Sequence, residues 1–336
     1  MSPIKYHEGQ RQVQTEANCI KVADSLADWV GPVANYAMVA DLIVLATLEQ
    51  SQAFNFTVLS GPAPLITATT EGDDIILSFP EQVLEKIPAG KLCGGIVINL
   101  AQARRSRIGG AFTATAELRC QTAFTNCRKY MAPSQSLGNS LNIGPATTET
   151  IALDDPLIGE ILSRAETSFL ATTTPDGKPD VSHRGGQPGF LHYEPQTGEI
   201  SWTEYLGDGM FVSSGNIRAT GRFALLVLDI HSGDGLVFHG EGDYTNIRAS
   251  RHERVDALVQ DKEAFSVQGR MNGRITSVSR LVNICHPANL WRELPESPRV
   301  QPLTSKPPIE GCQLSVVGCR KKSKIGYPKS KIWGIS

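Results

Sequence analysis

Apolar residues recur at Val13, Ala17, Ile20, Ala23, Leu26 and Val30, a spacing that predicts one or two surface helices over about residues 8–35. From Asp41 the period shortens. The segments DLIVLATLE, FNFTVLS, PLITATT, DIILSF and GGIVINL are short, rich in β-branched residues and separated by Gly, Pro, Asp or Asn, which predicts strands. The stretch Met131 to Thr150, MAPSQSLGNSLNIGPATTET, lacks helical or strand periodicity for most of its length and reads as a linker. A helix is expected next, in DDPLIGEILSRAE, with an acidic start, Pro156 near its first turn and apolar Leu157, Ile158, Ile161 and Leu162. Strands return in SFLATTT, DVSHRG, GFLHYE, EISWTEY, RFALLVLDI and GLVFHGEG.

The two strand series overlay. Leu45-Ala46-Thr47 matches Leu170-Ala171-Thr172 at an offset of 125 residues. The same offset pairs Gly61 with Gly186, Leu65-Ile66 with Phe190-Leu191, Ile75 with Ile200 and Leu77 with Trp202. Further on, GIVINLAQARRSRIGG parallels FALLVLDIHSGDGLVFHG at a slightly larger offset, and the halves end in AELRCQTAFTNC and RITSVSRLVNIC. A unit of five or six antiparallel strands closes most naturally into a small barrel, because closure removes exposed edges. The expected fold is therefore mainly β with peripheral helices: two tandem barrels that imitate a homodimer within one chain. The expected divisions are a helical segment (1–35), a first barrel half (36–130), the linker (131–150), a second half (151–295) and a tail (296–336).

Composition narrows the function. With 336 residues, 40% of them hydrophobic, and a net charge of -2, the chain can bury two cores and offers no global argument for nucleic acid. Its apolar runs fall well short of the roughly 20 residues of a membrane span, and the polar start MSPIKYHEGQRQVQTE does not resemble a signal peptide. The expectation is a cytoplasmic protein without a metal centre, with seven scattered cysteines kept reduced. The tail sets Lys306, Arg320, Lys321, Lys322, Lys324, Lys329 and Lys331 against the single acid Glu310, and reads as a solvated basic end.

Two segments carry candidate chemistry. In PDVSHRGGQPGF, strand alternation puts Ser182 and Arg184 on one face and His183 on the other. Arginine offers a planar fork suited to phosphate, serine adds a hydroxyl, and glycine lets backbone N–H groups come close to a ligand. The alternative is that Arg184 is a salt-bridging rim residue and Gly185-Gly186 only a bulge. In SWTEYLGDGMFVSSGNI, the turn Gly207-Asp208-Gly209, the hydroxyls of Ser213 and Ser214, and Gly215-Asn216 form an N–H-rich loop able to cradle a phosphate. It lacks the GxGxxG spacing, the P-loop lysine and the GxSxG elbow.

In order and spacing, FLATTTPDGKPDVSHRGGQPGFLHYE, WTEYLGDGMFVSSGNI, RFALLVLDI and VFHGEG resemble the pyridoxamine 5'-phosphate oxidase-like FMN-binding split barrels. More narrowly they resemble the tandem flavin-nucleotide-binding subfamily, as do YHEGQRQVQ, SGPAPLI, RRSRIGG and FTNCRKY of the first half. The resemblance covers about residues 6–245. It implies FMN bound where two barrels meet. Ser182, His183, Arg184 and Gly185 would lie on the strand lining the flavin and its phosphate, with Trp202 and Thr203 on the next. Asp208, Gly209, Met210 and Asn216 would complete the phosphate and ribityl contacts, and Asn126, Cys127, Lys129 and Tyr130 would close the site from the first half.

This chain departs from the vitamin B6 oxidases proper in having Asp208-Gly209 where they carry a basic pair, and it lacks their C-terminal substrate motif. In FTNCRKY, Thr125 and Arg128 replace the usual glycine and proline; in SGPAPLI, Ala63 and Pro64 fall near the glycine position. The repeat places Leu59 and Ser60 where the second half has Arg184 and Gly185, so one phosphate site is expected, with the first half serving mainly as its wall. The implied activity is an FMN-dependent oxidoreductase acting on a small organic substrate, with NADH, NADPH or oxygen as redox partner, and not a true pyridoxamine phosphate oxidase. His183 and Tyr205 are the nearest candidates for proton transfer, the histidine having a structural reading as well; Cys127 and Cys285 are expected to be buried, inert thiols. The competing readings are a non-catalytic flavin- or haem-binding protein and a degenerate barrel pair that mediates assembly. Either a monomeric pseudo-dimer or a homodimer fits.

Overall fold

A computed structural model describes residues 3–127, 129–247 and 267–290; the basic tail falls outside these. Three short helices open the chain: α1 (Glu8–Glu16), α2 (Ile20–Leu26) and α3 (Val33–Ala37). The first half then runs β1 (Leu42–Leu48), β2 (Phe54–Ser60), β3 (Thr67–Glu71), β4 (Asp74–Ser78), a 3-10 turn at Glu81–Glu85, β5 (Leu92–Asn99), β6 (Arg104–Phe112) and β7 (Glu117–Thr125). Between the halves lie β8 (Ser134–Ser136), β9 (Asn142–Gly144), β10 (Thr147–Ile151) and α4 (Pro156–Arg164). The second half runs β11 (Thr167–Thr173), β12 (Pro179–Gly185), β13 (Leu191–Glu194), β14 (Glu199–Tyr205), α5 (Val212–Thr220), β15 (Arg222–Leu228), β16 (Gly235–Asn246) and β17 (Val267–Val282), followed by β18 (Ala288–Leu290).

The two halves share one strand order. The first sheet runs β3-β4-β7-β6-β5-β1-β2, and the second runs β13-β14-β17-β16-β15-β11-β12. Strands β1 and β11, β2 and β12, and β4 and β14 each start 125 residues apart. Each sheet is an open path, yet each encloses one continuous core. In the first half Ile43, Leu59, Ile75, Val97, Ile108 and Leu118 meet in a single cluster drawn from six strands. In the second, Leu170, Leu191, Trp202, Leu225, Phe238 and Met271 do the same. Such sheets are split barrels: wrapped around a core, with the first and last strands unjoined.

A third apolar cluster lies between the halves, and strand alternation builds it. On β1, Ile43 and Leu45 point into the first barrel, while Leu42, Val44 and Ala46 point out against the second half. On β15, Phe223, Leu225 and Val227 point in, while Ala224, Leu226 and Leu228 point out. Strands buried on both faces read as continuous apolar runs, which is what DLIVLATL and RFALLVLDI are. At the seam β5 lies against β12 so closely that a Cβ on Gly94 would strike the Pro179 carbonyl.

Residues 131–150, expected to be a plain linker, contain short strands. β9 pairs along β2, β10 along β17, and β8 with β18. Three-residue, mostly polar strands carry no hydrophobic alternation, so backbone pairing alone defines them. The opening helices form as expected. Asp155 caps α4, its carboxylate accepting from the Leu157 N–H, with Pro156 in the first turn.

Helix α1 packs on α5, burying Gly9, Gln10, Val13 and Gln14. The approach depends on two glycines. A Cβ on Gly9 would meet the Gly215 carbonyl at 2.6 Å, and one on Gly215 would collide with the Gln10 backbone. Gly215→Ala is accordingly expected to push α1 off α5 and destabilise the protein by about 2 kcal/mol. Thermal unfolding checks this, with a drop of roughly 4–8 °C expected for a unit of this size.

Candidate functional site

A cleft lies where the two halves meet. It encloses about 950 Å³, its open mouth included. The first half contributes Arg105 and Arg107 from β6, Phe124 from β7, and Asn126, Cys127 and Tyr130 from the loop beyond. The second half contributes His183, Arg184 and Gly185 at the end of β12, Trp202 to Tyr205 on β14, the loop Gly207 to Met210, and Phe211 to Ser214 at the start of α5. Arg105 and Arg107 share a face because they lie two residues apart on a strand. Phe211 precedes α5 with a positive φ of 52°, and this left-handed turn swings the chain from the loop into the helix.

Two of the three arginines are already paired. Arg184 donates from Nε to Glu204 Oε1 at 2.6 Å and from Nη1 to Ser182 Oγ at 2.9 Å. The same Glu204 oxygen accepts from Trp202 Nε1 at 2.8 Å, so the fork of Arg184 is locked in place. Arg107 crosses between the halves to Asp180, its Nη1 lying 3.0 Å from Oδ2, and Ser213 Oγ donates to the same oxygen at 3.0 Å. Arg105 is different. Its Nη2 donates to the Lys129 carbonyl at 2.6 Å, while the buried Nη1 has no partner among the described residues. Burial works most strongly against the Arg105 cation, and Arg107 and Arg184 add to the cost; Cys127 and Asp208 favour it. Arg107 Nε and Asn126 Oδ1 are likewise buried without partners.

His183 is held by its surroundings. Its Nε2 lies 2.6 Å from Thr167 Oγ1, and its ring meets Phe169 edge-on at 5.7 Å. Burial, then Arg105 and Arg184, push its pKa well below 6.5, so it is a neutral structural imidazole at pH 7. Tyr130 stacks on Tyr205 with centroids 5.2 Å apart and donates its hydroxyl to the Leu206 carbonyl at 2.9 Å. Burial raises its pKa, keeping it a phenol. Asp208 accepts from the Met210 N–H at 3.0 Å and from Asn126 Nδ2 at 3.4 Å, linking the loops at the mouth.

The structure brings most of the expected residues together: His183, Arg184, Gly185, Trp202, Thr203, Tyr205, Asp208, Gly209, Met210, Asn126, Cys127 and Tyr130 all line the cleft. Three do not. Asn216 is fully buried on the inner face of α5, where its Oδ1 meets Gln10 Nε2 and His7 Nε2 and its Nδ2 donates to Thr172 Oγ1. It fastens α1 and α5 to β11. Ser182 is buried behind Arg184, with its Oγ 2.8 Å from Ser213 Oγ, and Lys129 is exposed, offering only its carbonyl. Gly185 lacks a Cβ for a packing reason: one would strike the Tyr130 carbonyl and the His183 ring. Cys127 is half-buried, not buried as expected; Cys285 is buried, its thiol pushed up to about 12.

Sequence reasoning assigned no role to Arg105, Arg107 and Glu204. The signal for the arginines was the basic run RRSRIGG, with two cations at alternate positions. They change the expected division of labour. The first half is no mere wall, because it supplies the cation that lacks a carboxylate partner.

The corresponding positions on the other side of the junction carry different residues. Strand pairing makes Gly235 and Val237 the counterparts of Arg105 and Arg107, and Val58 and Leu59 those of His183 and Arg184. The outer edge of β2 at Val58–Ser60 is covered by β9, whereas β12 ends its sheet with that edge unpaired among the described residues.

No family profile matches the chain, and no curated protein does. Solved structures do match over about a third of it. HupZ from Group A Streptococcus aligns at 14% identity and a TM-score of 0.26, over 35% of this chain and 86% of its own. A Lactobacillus delbrueckii protein assigned provisionally as a pyridoxamine 5'-phosphate oxidase aligns at 19% identity and a TM-score of 0.24, over 34% and 83%. HutZ, the heme storage protein from Vibrio cholerae, aligns at 17% identity and a TM-score of 0.23, over 38% and 91%. No described helix is long and apolar enough to cross a membrane.

Two outcomes follow from the pairings. Arg184→Ala strands the Glu204 carboxylate in a site where both side chains are at most 14% exposed, and should cost about 3 kcal/mol in urea unfolding. The Arg184→Ala, Glu204→Ala double variant should lose less, and a double variant as unstable as the sum of the singles would contradict the pairing. For His183, the unfolded chain takes up a proton as pH falls below 6.5 while the folded chain does not, so stability should decline from that pH downward. His183→Gln should flatten the thermal midpoint over pH 7 to 5.

Proposed function

We propose that the junction cleft binds FMN and that the protein is an FMN-dependent oxidoreductase acting on a small organic molecule. The observation that carries this reading is the cleft itself, which gathers three arginines around an aromatic wall, whereas the positions matched to Arg105, Arg107 and Arg184 on the opposite side of the junction are Gly235, Val237 and Leu59. An amphipathic ligand with a flat ring system and an anionic tail suits that division. The orphaned Arg105 Nη1, Arg107 Nε and Asn126 Oδ1 are polar atoms that a phosphate, ribityl chain or pyrimidine edge could satisfy. The sequence resemblance to FMN-binding split barrels points to the same cofactor.

In this reading Arg105 and the N–H groups at the start of α5 hold the phosphate, since Arg107 and Ser213 are already engaged by Asp180. Trp202, Phe124 and the Tyr130–Tyr205 stack exclude water from the ring system. Bound FMN supplies the hydride and electron chemistry; the protein supplies position and electrostatics. The Arg184–Glu204 pair presents a compensated charge, which tempers any pull on an anionic reduced ring. Tyr205 is the lining hydroxyl best suited to hold a proton at the substrate, His183 being fixed as a neutral donor or acceptor to Thr167. NADH, NADPH or oxygen would complete the redox couple.

The test is a titration of the purified protein with FMN, followed by flavin absorbance and fluorescence. Binding with a shifted, quenched spectrum is expected. Arg105→Gln should weaken it at least tenfold, about 1.4 kcal/mol. Unchanged spectra on adding FMN, or a haem Soret band in the purified protein, would contradict the reading.

A further inference from the structure

We infer that Cys127 is a reactive thiol that takes a small anionic disulfide into the cleft as a mixed disulfide. Of the five described cysteines, Cys19, Cys93, Cys120 and Cys285 are buried, and Cys127 is the one that lines the cleft with its residue partly exposed. Cys19 is shielded by burial, and for Cys93, Cys120 and Cys285 burial also pushes the thiol up to about 12.

Arg105 gives Cys127 its setting. The loop carrying the thiol is fastened to that residue at both ends: the Asn126 N–H donates to the Arg105 carbonyl at 3.1 Å, and Arg105 Nη2 donates to the Lys129 carbonyl at 2.6 Å. Both residues line the cleft, and the guanidinium is close enough to the thiol for their charges to act on each other. It is 4% exposed, and its Nη1 is an unpartnered buried donor in the wall of the cleft. A cation in that state draws an anionic reagent toward the accessible thiol.

The reaction balances without a further oxidant. The Cys127 thiolate attacks one sulfur of the disulfide, forming the new S–S bond. The other sulfur leaves as a thiolate with the electron pair of the broken bond, and the proton given up by Cys127 reaches it through solvent. The disulfide is the oxidant, and one half of it departs reduced. The adduct would place an anionic group beside Arg105, in the space assigned above to the cofactor, so thiolation and cofactor loading would compete. The thiol chemistry itself stands whether or not FMN binds.

The experiment treats the full-length protein with oxidised glutathione, which is anionic, or with 2-hydroxyethyl disulfide, which is neutral, and locates adducts by peptide mass mapping. Cys127 should react with oxidised glutathione at least about tenfold faster than Cys19, Cys93, Cys120 or Cys285. Arg105→Gln should lower the anionic-to-neutral rate ratio by about tenfold. If that variant does not fold, salt serves in its place: raising it in the wild-type protein should slow the anionic reagent and leave the neutral one unchanged. Cys127 reacting no faster than the buried thiols, or a rate ratio indifferent to salt or to loss of Arg105, would overturn the inference. Because adducts are read by mass, a protein that takes up no FMN still decides the matter.

Discussion

Everything in this molecule depends on strands that are buried on both faces at the junction of its halves. A small barrel normally spends one face of each strand on its own core and leaves the other to solvent. Here β1 and β15 send alternate side chains into a second, shared core made of Leu42, Val44, Ala46, Ala224, Leu226 and Leu228. Separating the halves would expose that core, and at roughly 25 cal/mol per Å² of apolar surface even part of it outweighs a surface ion pair many times over. The closeness of β5 to β12, possible because Gly94 has no side chain, fixes the relative position of the two sheets. The cleft's geometry follows from that position, since its walls belong to different halves.

The two sides of the junction correspond in strand order, and the chain has made them unequal. On one, short strand β9 covers the edge of β2, and the positions matched to Arg105 and Arg107 hold Gly235 and Val237. On the other, Arg105 and Arg107 line one cleft with Arg184. Concentrating three guanidinium groups is costly, and two carboxylates offset it: Asp180 and Glu204 each hold one arginine within 3.0 Å. Arg105 remains buried with one nitrogen unpartnered. A buried donor in that condition gains from an anionic ligand, which is the physical basis for the binding function proposed above.

The sequence foreshadowed the architecture better than the site. Continuous apolar runs such as RFALLVLDI revealed the strands, and the offset linking Leu45-Ala46-Thr47 to Leu170-Ala171-Thr172 reappears in strand starts and strand order. The pieces of β8, β9 and β10 stayed hidden, because short polar strands are defined by backbone partners that lie far away in sequence. Arg184 was legible as an arginine beside glycines, but its capture by Glu204 was not, since alternation gives a face and not a partner. Asn216 was misread for the same reason. Its neighbours in sequence are cleft residues, yet its side chain turns away to His7 and Gln10, more than two hundred residues earlier.

We propose that one chain provides one cofactor site, built across its two halves. Isothermal titration of the purified monomer-equivalent chain with FMN counts the sites directly. One FMN per chain is predicted. Two FMN per chain, or none, would contradict the claim.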